Sequence, residues 1–514
     1  MSKKAKVVLI GINHAGTTAV KALIRNYPDA EIVCYDRNDN ISFLGCGIAL
    51  WVGKEFNDPR GLFYASAEQL TKIGAKVNMA HEMTKLNPNQ KTMIIKNLKT
   101  DETFTETYDK LILAIGSWPI LNPGGKEIPG LLALKNGIGQ DDFLNGKKLT
   151  AGIYLSKLYQ HAQTLIAELN KSSVKNVVVI GAGYIGIELV EAFTKINKEV
   201  TLIDFENRIM PRYYDPEFTN DLEADMKKAG VKLQLGEILT EFSVKDNHVS
   251  EVVTNRGRYQ ADLVIMAVGF LPNTKILINH DGSSQLKLDA RGAIIVNKYF
   301  QTSNNDIYAV GDCIAIHSNA WGQDVNIALA TNAVRSGLVA GLNIATNNQV
   351  PFPGVQGTNA ISVFGWKFAA TGLSEISAKA IFGQENIDAI YYQDTIYPPF
   401  MKDNHQVKIK IIWDKTTRRI LGAEVGSQSD HTEVIYMFSL AIMKNVTIDE
   451  LPLIDMYFLP HFNKPYNYVT AAAVLATGLL SQNDIIYPDP YEKGAQLNEA
   501  ARPETTNQEA EKDW

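Results

Sequence analysis

Twice along the chain, a short run of β-branched residues is followed by a glycine turn and then by helical periodicity. Residues 7–10 predict a buried strand, and residues 18–26 predict the helix that follows it. The same order recurs with a strand at 177–180 and a helix at 185–196. A strand, a crossover helix and a returning strand make a βαβ unit. The pattern therefore predicts two α/β units with parallel sheets.

The two glycine turns have the spacing of dinucleotide-binding turns. The second turn has all three glycines, Gly181, Gly183 and Gly186, and is the more specific of the two. In the first turn Asn13 replaces the middle glycine, and asparagine tolerates left-handed backbone better than most residues. An ordinary α/β turn is the alternative interpretation there. At both turns a pyrophosphate is expected at the helix N-terminus.

An acid ends the strand after each turn. Asp36 and Asp204 lie about twenty residues beyond their glycines, where a carboxylate accepts hydrogen bonds from ribose hydroxyls. A carboxylate also repels the 2′-phosphate of NADPH, so Asp204 favours NADH. Arg208 and Arg212 are close enough to soften this preference, although solvated surface positions are the favoured interpretation of both.

The remaining pattern predicts two returning strands and a separate C-terminal module. The returning strands are at 110–117 and 262–270, and a further strand ends at Gly311 and Asp312. From residue 351 the pattern predicts an α+β module. Its predicted elements are a hairpin of strands 407–414 and 419–426, helices at 432–444 and 448–456, and a packed helix at 471–480.

Length, charge and targeting signals narrow the class of protein. The 514 residues exceed what one hydrophobic core usually supports, which predicts several domains. The net charge is −6 without a basic stripe, so no nucleic-acid partner is expected. No secretory signal is visible at the N-terminus, and the longest apolar run is shorter than the roughly 20 residues that span a bilayer. We therefore expect a cytoplasmic protein without a membrane partner.

The chain has three cysteines, Cys34, Cys46 and Cys313, and no Cys-x-x-Cys pair. This usage fits a reducing compartment without disulfides and without a metal site. Cys34 and Cys313 are interpreted as small buried apolar residues. Cys46 lies between the two dinucleotide turns, in the segment Ser-Phe-Leu-Gly-Cys-Gly-Ile-Ala-Leu at 42–50, and is the candidate redox thiol.

In combination, these motifs resemble the pyridine nucleotide-disulfide oxidoreductases from Lys6 to about Leu480. The similarity is greatest to the branch of water-forming NADH oxidases, NADH peroxidases and coenzyme A-disulfide reductases, and within it to the oxidases. The resemblance implies an α/β fold with two interleaved Rossmann-like nucleotide-binding domains, as in glutathione reductase, and a C-terminal α+β dimerisation domain. The implied divisions are an FAD-binding domain at 1–130 and 285–348, an NADH-binding domain at 131–284, a dimerisation domain at 349–480 and a polar acidic tail at 481–514.

The resemblance also implies cofactor contacts. FAD is expected at Gly11, Asn13, Gly16, Asp36, Cys46, Met83, Ala114, Gly116, Asp312, Leu329, Ala330 and Thr331. NADH is expected at Gly181, Gly183, Tyr184, Ile185, Gly186, Asp204, Tyr213 and Gly269. Cofactor contact, without assignment to one cofactor, is expected at His14, Ala15, Arg37, Ser117, Lys157 and Gly311. Asp36 is shorter than the glutamate usual in the branch, so its ribose contacts are expected to be rearranged or bridged by water.

The implied catalytic residues are Cys46 and His14. Cys46 would cycle between thiolate and sulfenate, with its pKa lowered by the dipole of a helix through 47–52, and His14 would position or protonate a peroxide oxygen. The implied reaction is FAD-dependent oxidation of NADH with four-electron reduction of oxygen to water by a homodimer. The alternatives are an NADH peroxidase that uses hydrogen peroxide and a coenzyme A-disulfide reductase, although the Pro-Tyr pair usual in those reductases is absent. A flavin-based redox sensor is a more distant alternative.

Three further segments carry weaker expectations. The segment 131–151 is longer than its family counterpart and is interpreted as a surface loop without chemistry. His461 and Phe462 resemble residues that reach toward the flavin of the partner subunit, or they pack in the interface. The polar tail after residue 481 is expected to be mobile or draped on the surface.

Overall fold

A computed structural model describes residues 4–133 and 148–485 of the chain. Two five-stranded sheets, both parallel throughout, carry the glycine turns. The first sheet has the strand order Ile307–Ala309, Lys110–Leu113, Lys6–Ile10, Glu31–Asp36 and Lys76–Met79. The second has the order Lys232–Leu235, Glu199–Asp204, Asn176–Ile180, Leu263–Met266 and Ile153–Leu155. The first sheet thus joins strands from distant parts of the chain.

The central strands of both sheets are buried on both faces. Val7, Val8 and Leu9 have no exposed surface in the first sheet, and neither have Val177 and Val178 in the second. Continuous β-branched runs are typical of parallel strands covered by helices on both faces. The apolar runs therefore predicted both sheets correctly.

The helices that follow the glycine turns begin earlier than predicted. The first spans His14–Asn26 and the second Tyr184–Lys195. The returning strands, Lys110–Leu113 and Leu263–Met266, are shorter than predicted. After each of them the chain leaves its sheet, and the two segments that follow pair with each other. Residues Ser117–Pro119 and Phe270–Pro272 form a two-stranded antiparallel pair that joins the two parallel-sheet units.

The C-terminal module is a five-stranded antiparallel sheet with helices packed on it. The strand order is Asn359–Val363, Trp366–Gly372, Ile420–Ser427, Gln406–Asp414 and Ile387–Thr395. The predicted hairpin and the helical segment 432–444 are confirmed, the latter as a 3₁₀ turn followed by the helix Ile435–Lys444. The predicted helix at 448–456 is wrong. Only Leu451–Leu453 forms a 3₁₀ turn, because Pro452 lacks the N–H that a longer helix needs.

The remaining elements complete the layers around these sheets. The packed helix predicted at 471–480 spans Tyr468–Thr477 and ends where Gly478 adopts the left-handed conformation. The other helices are Ile48–Val52, Ala67–Lys72, Tyr159–Leu169, Pro216–Lys228, Ala330–Thr346, Glu375–Phe382 and Gln482–Ile485. Two small antiparallel sheets contain His81–Asn87, Thr92–Asn97 and Thr103–Thr107, and Leu239–Lys245, His248–Thr254 and Arg258–Gln260. A further small sheet is mixed: Ile314–Ser318 pairs in parallel with Ile294–Ile295 and antiparallel with Gln323–Val325.

Two segments discussed from sequence fall largely outside the described residues. Of the predicted loop at 131–151, the ends are described, and Leu132 pairs with Leu149. Leu131 and Leu149 are buried in the core of the second unit, so these ends are not a surface loop as predicted. The tail beyond Ile485 lies outside the described residues. In the part of the chain that is described, no helix is both long and apolar enough to cross a membrane.

The third glycine of each turn allows the helix to pack directly on the turn. A Cβ placed on Gly16 would lie 2.0 Å from the carbonyl oxygen of Gly11, and one on Gly186 would lie 1.8 Å from that of Gly181. Both clashes are with backbone, which cannot move aside without shifting the helix. These two glycines therefore set the distance between helix and strand.

We expect Gly186→Ala to destabilise the protein, because its new methyl group meets backbone in an already close-packed contact. Overpacking of this kind typically costs about 1–3 kcal/mol. Gly183→Ala is the matched control, since a Cβ there has nothing within 4 Å and the backbone φ is −80°. Thermal unfolding should give a lower Tm for Gly186→Ala and a nearly unchanged Tm for Gly183→Ala. Equal Tm values for the two variants would contradict this account of the turn.

Candidate active site

A cleft of about 1770 Å³ runs along the carboxyl ends of the strands in both parallel sheets. Typical ligand pockets have volumes of roughly 300–1,000 Å³, so this cleft has room for more than one ligand. Every predicted site residue lines it except Gly16 and Gly186, which pack behind it. Those that line it are Gly11, Asn13, His14, Ala15, Asp36, Arg37, Cys46, Met83, Ala114, Gly116, Ser117, Lys157, Gly181, Gly183, Tyr184, Ile185, Asp204, Tyr213, Gly269, Gly311, Asp312, Leu329, Ala330 and Thr331.

The first dinucleotide turn is fastened by Asp36. Its carboxylate accepts hydrogen bonds from the backbone N–H groups of Ile12 at 2.7 Å and Asn38 at 2.8 Å. Asn13 has a φ of −76°, so the left-handed backbone invoked to explain its tolerance there is not adopted. Gly183, at the same place in the second turn, has a similar φ of −80°. A side chain is therefore compatible with this position on backbone grounds.

Asp204 repeats this arrangement in the second turn. It accepts hydrogen bonds from the backbone N–H groups of Ala182 and, at 2.8 Å, Glu206. Burial raises the pKa of both the Asp36 and the Asp204 carboxyl groups, while the backbone donors act in the opposite direction. Arg212 is exposed and lines the cleft near Asp204, whereas Arg208 donates to the Tyr214 carbonyl and is part of the loop structure.

Ser117, Lys157 and Asp312, which are distant in sequence, form a hydrogen-bonded chain in the cleft wall. The Ser117 hydroxyl donates to Asp312 Oδ2 at 2.8 Å, and Lys157 Nζ donates to Ser117 Oγ at 3.0 Å. Lys157 Nζ also lies 4.4 Å from the ring centre of Phe270, a residue that the sequence analysis did not identify. Burial lowers the pKa of Lys157, and nearby Asp312 opposes this effect. These hydrogen bonds fix the three polar side chains in one arrangement along the cleft wall.

Cys46 is the cysteine that opens to the cleft. It lies in the 3₁₀ turn Gly45–Gly47, just before the helix Ile48–Val52, whereas Cys34 and Cys313 are fully buried as predicted. The predicted lowering of its pKa is wrong for this chain. Burial and the Glu188 carboxylate raise the pKa of Cys46, and the local backbone N–H groups only partly offset them. A helix of five residues gives too weak a dipole to reverse the balance.

Glu188 is a site residue that the sequence analysis missed. It lines the cleft from the helix Tyr184–Lys195, and burial, assisted by the charge of Glu191, raises its pKa to about 7. Its available sequence signal was a carboxylate among apolar residues immediately after the third glycine. A carboxyl group with this pKa can exchange a proton near neutral pH, next to the candidate redox thiol.

His14 contacts a second residue that the sequence analysis missed, Tyr64. His14 Nδ1 lies 3.0 Å from the Tyr64 hydroxyl oxygen, and the two rings stack at a centroid distance of 5.7 Å. Burial lowers the pKa of His14, while Asp312 raises it and Lys157 lowers it further. The imidazole is therefore neutral at neutral pH.

A tyrosine cluster closes the wall of the second turn. The Tyr184 and Tyr214 hydroxyl oxygens are 2.7 Å apart, and the Tyr184 hydroxyl also donates to Asn359 Oδ1. The Tyr213 ring packs edge-on against Tyr184 with centroids 4.5 Å apart. Asn359 belongs to the C-terminal sheet, so this sheet completes a wall of the cleft.

Comparison with known proteins identifies the family. The pyridine nucleotide-disulphide oxidoreductase pattern matches residues 5–337, and the dimerisation domain of the same family matches residues 358–465. The chain belongs to the pyridine nucleotide-disulphide oxidoreductase family. This membership confirms the predicted fold class, the predicted oxidoreductase class and the predicted use of FAD with a pyridine nucleotide.

Individual family members are similar over almost their whole length. An NADH oxidase of Streptococcus pyogenes is 43% identical over 475 residues, which cover 91% of this chain and 99% of that protein. The solved structure of a water-forming NADH oxidase from Lactobacillus brevis bound to NADH is 38% identical, with a TM-score of 0.84 and coverage of 93% and 100%. A coenzyme A disulfide reductase of Staphylococcus aureus is 25% identical, with coverage of 90% and 98%.

We expect Glu188→Gln to lower the pKa of the Cys46 thiol, because it removes the negative charge that raises this pKa. The rate of Cys46 alkylation by iodoacetamide, measured against pH, should shift to lower pH. The difference should be largest above about pH 7, where Glu188 is ionised. Because the other two cysteines are buried, alkylation reports on Cys46.

Glu55→Gln is the control for this experiment, since Glu55 is an exposed carboxylate paired with Lys195 at 2.8 Å. It should leave the alkylation profile unchanged. A Glu188→Gln profile identical to that of the unmodified protein would show that this carboxylate does not act on the thiol.

Proposed function

We propose that this protein oxidises two molecules of NADH and reduces one molecule of oxygen to two molecules of water, with Cys46 as a single redox thiol. The observation that carries the proposal is the placement of Cys46. Its side chain opens to a cleft that both dinucleotide turns share, while the two other cysteines are buried and form no disulfide. A lone accessible thiol suits a sulfenate cycle better than a dithiol cycle.

The first turn suits the FAD that the family uses. A Cβ on Gly11 would lie 2.3 Å from the Ala114 carbonyl oxygen, so only glycine leaves this cradle open beside the N-terminus of the helix His14–Asn26. The amides of that N-terminus would hold the pyrophosphate. Asp36 would accept hydrogen bonds from the ribose hydroxyls. The ribityl chain would be held by hydrogen bonds with Ser117, Lys157 and Asp312. FAD, when bound, supplies a two-electron relay between NADH and oxygen.

The second turn would bind NADH. Gly181 has a φ of +108°, and a Cβ there would meet the Ala267 carbonyl oxygen at 2.4 Å, so this turn offers the same cradle. Asp204 would accept hydrogen bonds from the hydroxyls of the adenosine ribose, and its negative charge would repel the 2′-phosphate of NADPH. Tyr184 and Tyr213 would pack against the dinucleotide.

The chemistry at Cys46 begins with hydrogen peroxide, formed when the first NADH gives two electrons to oxygen. The thiolate attacks one peroxide oxygen and the O–O bond breaks. The sulfur becomes a sulfenate and the other oxygen takes a proton and leaves as water. Two electrons from the second NADH, with protons from solvent, then return the sulfenate to thiolate and release the second water. The neutral His14 ring would donate a hydrogen bond to the leaving oxygen, and the proton that completes the water comes from the sulfenic acid that forms first at the sulfur.

Two related reactions are alternatives. An NADH peroxidase would use the same Cys46 cycle but take hydrogen peroxide from outside. A coenzyme A-disulfide reductase would form a mixed disulfide at Cys46, and the Staphylococcus aureus relative gives this alternative its support. Anaerobic NADH turnover with each oxidant separates them. A redox sensor that only changes conformation would show no sustained turnover.

We expect Cys46→Ser to release hydrogen peroxide, because the variant lacks the sulfur that reduces it. The unmodified protein should consume two NADH per oxygen without detectable peroxide. The variant should approach one NADH per oxygen, with about one peroxide per NADH. The measurement combines NADH absorbance, an oxygen electrode and a peroxide assay.

Cys34→Ala is the control, since Cys34 is buried in the strand Glu31–Asp36 away from the cleft wall. It should keep the two-to-one ratio, and both variants should keep their FAD absorbance. Continued formation of water alone by Cys46→Ser would overturn the assigned role of the thiol.

We also propose that the protein is a homodimer, with an interface that includes an exposed aromatic segment of the C-terminal module. Tyr457 is 72% exposed, Phe458 48% and Phe462 57%, and Leu453 beside them is 80% exposed. Neighbouring apolar side chains at this exposure are unusual on a monomer and mark interaction surfaces. A second copy of this chain is the partner that the matched dimerisation domain favours.

We expect the double variant Tyr457→Asp, Phe462→Asp to dissociate into monomers, because buried unpaired carboxylates oppose association. Sedimentation velocity at micromolar concentration should show one slower species. Ile73→Asp is the control and should remain dimeric, because Ile73 is an exposed apolar residue far in sequence from the C-terminal module. A dimer that persists in the double variant would place the interface elsewhere.

A further inference from the structure

Tyr64 is attached to the segment that carries Cys46. Ser42 Oγ donates to the Ala65 carbonyl oxygen at 2.7 Å and accepts from the Ala65 N–H at 2.8 Å. Phe43 and Phe63 form an isolated antiparallel bridge, with ring centroids 5.5 Å apart. Tyr64 therefore lies between Phe63 and Ala65, which both contact the segment that leads into Cys46, and these contacts form a clamp.

The clamp is rigid enough to fix the position of Tyr64. Ser42 is fully buried and has a φ of 58°, in the left-handed region that a serine rarely adopts. Such a backbone persists only where surrounding contacts determine it. The two hydrogen bonds to Ala65 are contacts of this kind.

The Tyr64 hydroxyl occupies one of the two nitrogens of His14. The oxygen lies 3.0 Å from Nδ1, and the rings are almost parallel, at 9°. A neutral imidazole has one N–H and one acceptor nitrogen, and the hydrogen bond at one nitrogen determines the proton at the other. If the hydroxyl donates to Nδ1, the proton of the ring is on Nε2.

The protonation of both partners fits this direction of donation. Burial raises the pKa of Tyr64 to about 12, so the hydroxyl keeps its proton. Burial also lowers the pKa of His14, and the charges of Asp312 and Lys157 act on it with opposite signs. Lys21, whose ammonium lies 6.0 Å from the Tyr64 ring centre, is the other charged group beside the pair.

We propose that Tyr64 is a positioning residue that holds the His14 ring through Nδ1 and leaves Nε2–H to serve the peroxide reduced at Cys46. The hydroxyl contact and ring stacking orient the imidazole, and the clamp at Ser42 ties that orientation to the Cys46 segment. This inference rests on the proposed function, because it assigns a role within the reduction of peroxide.

The test is a double-mutant cycle with Tyr64→Phe, His14→Gln and the double variant, all as FAD-loaded holoenzyme. Phenylalanine keeps the stacked ring and removes only the hydroxyl. The measured quantities are peroxide released per NADH in air, and kcat and KM for NADH in anaerobic turnover with added hydrogen peroxide. Positioning groups behind a catalytic residue typically contribute about tenfold or more.

We expect Tyr64→Phe to lower kcat with peroxide about tenfold, to leave the KM for NADH unchanged, and to release more peroxide in air. His14→Gln should have at least the same effect, and the double variant should equal His14→Gln, because the hydroxyl has nothing left to position. An unchanged Tyr64→Phe, or losses that multiply in the double variant, would overturn the proposal.

Tyr391→Phe is the matched control. Burial raises the pKa of Tyr391 to about 12, as it does that of Tyr64, and the Tyr391 hydroxyl donates to Gln393 at 2.6 Å on the C-terminal sheet. It should behave as the unmodified protein. If the unmodified protein itself releases peroxide, the proposed function fails. If it makes water, Cys46→Ser leaks and Tyr64→Phe does not, only the role of Tyr64 fails.

Discussion

The close contact between helix and glycine turn is the constraint on which the cleft depends. In each nucleotide-binding unit the third glycine lets the helix touch the turn, and an aspartate at the next strand end accepts N–H groups of that turn. The helix N-terminus, the turn and the carboxylate are therefore held as one piece. Because both units repeat this piece, the two turns face a common cleft, and the paired strands Ser117–Pro119 and Phe270–Pro272 join the units beside it.

Burial and the charges in the cleft favour the neutral forms of His14 and Cys46, the two residues proposed to act on peroxide. Asp312 and Lys157 act on His14 with opposite signs, so burial decides its pKa and leaves the imidazole uncharged. Burial and Glu188 together raise the pKa of Cys46. A protonated thiol is much less readily oxidised than a thiolate, so the chain by itself protects Cys46. In the proposed reaction the proton must leave the sulfur as peroxide is reduced, and Glu188, whose pKa burial raises to about 7, is a nearby group that suits this exchange.

The sequence was sufficient for the parts of the molecule that repeat a local pattern. The buried parallel strands, both glycine turns and the acids at the strand ends follow from apolar runs and spacing, and so does the C-terminal hairpin. The residues missed were those that only the tertiary fold brings to the site. Tyr64 reaches His14 from 50 positions away, and Asn359 reaches Tyr184 from 175. The pKa of Cys46 was predicted with the wrong sign because neither the burial of its side chain nor the charge of Glu188, more than a hundred residues further along, could be read from the sequence.

The C-terminal sheet can complete the cleft only if it is fixed to the unit that contains the second glycine turn, and a buried ionic cluster does this. Lys410 Nζ, almost fully buried in the sheet, lies 2.8 Å from Glu217 Oε1, 2.6 Å from Glu375 Oε2 and 3.2 Å from Asp215 Oδ2. Asp215 directly follows Tyr213 and Tyr214 in the chain. A buried charge network requires good geometry because each unpaired member is costly, so the sheet has little freedom to slide. The ion pairs of Lys410 therefore fix the position of the sheet, and with it the position of Asn359, which is on a different strand and accepts a hydrogen bond from Tyr184.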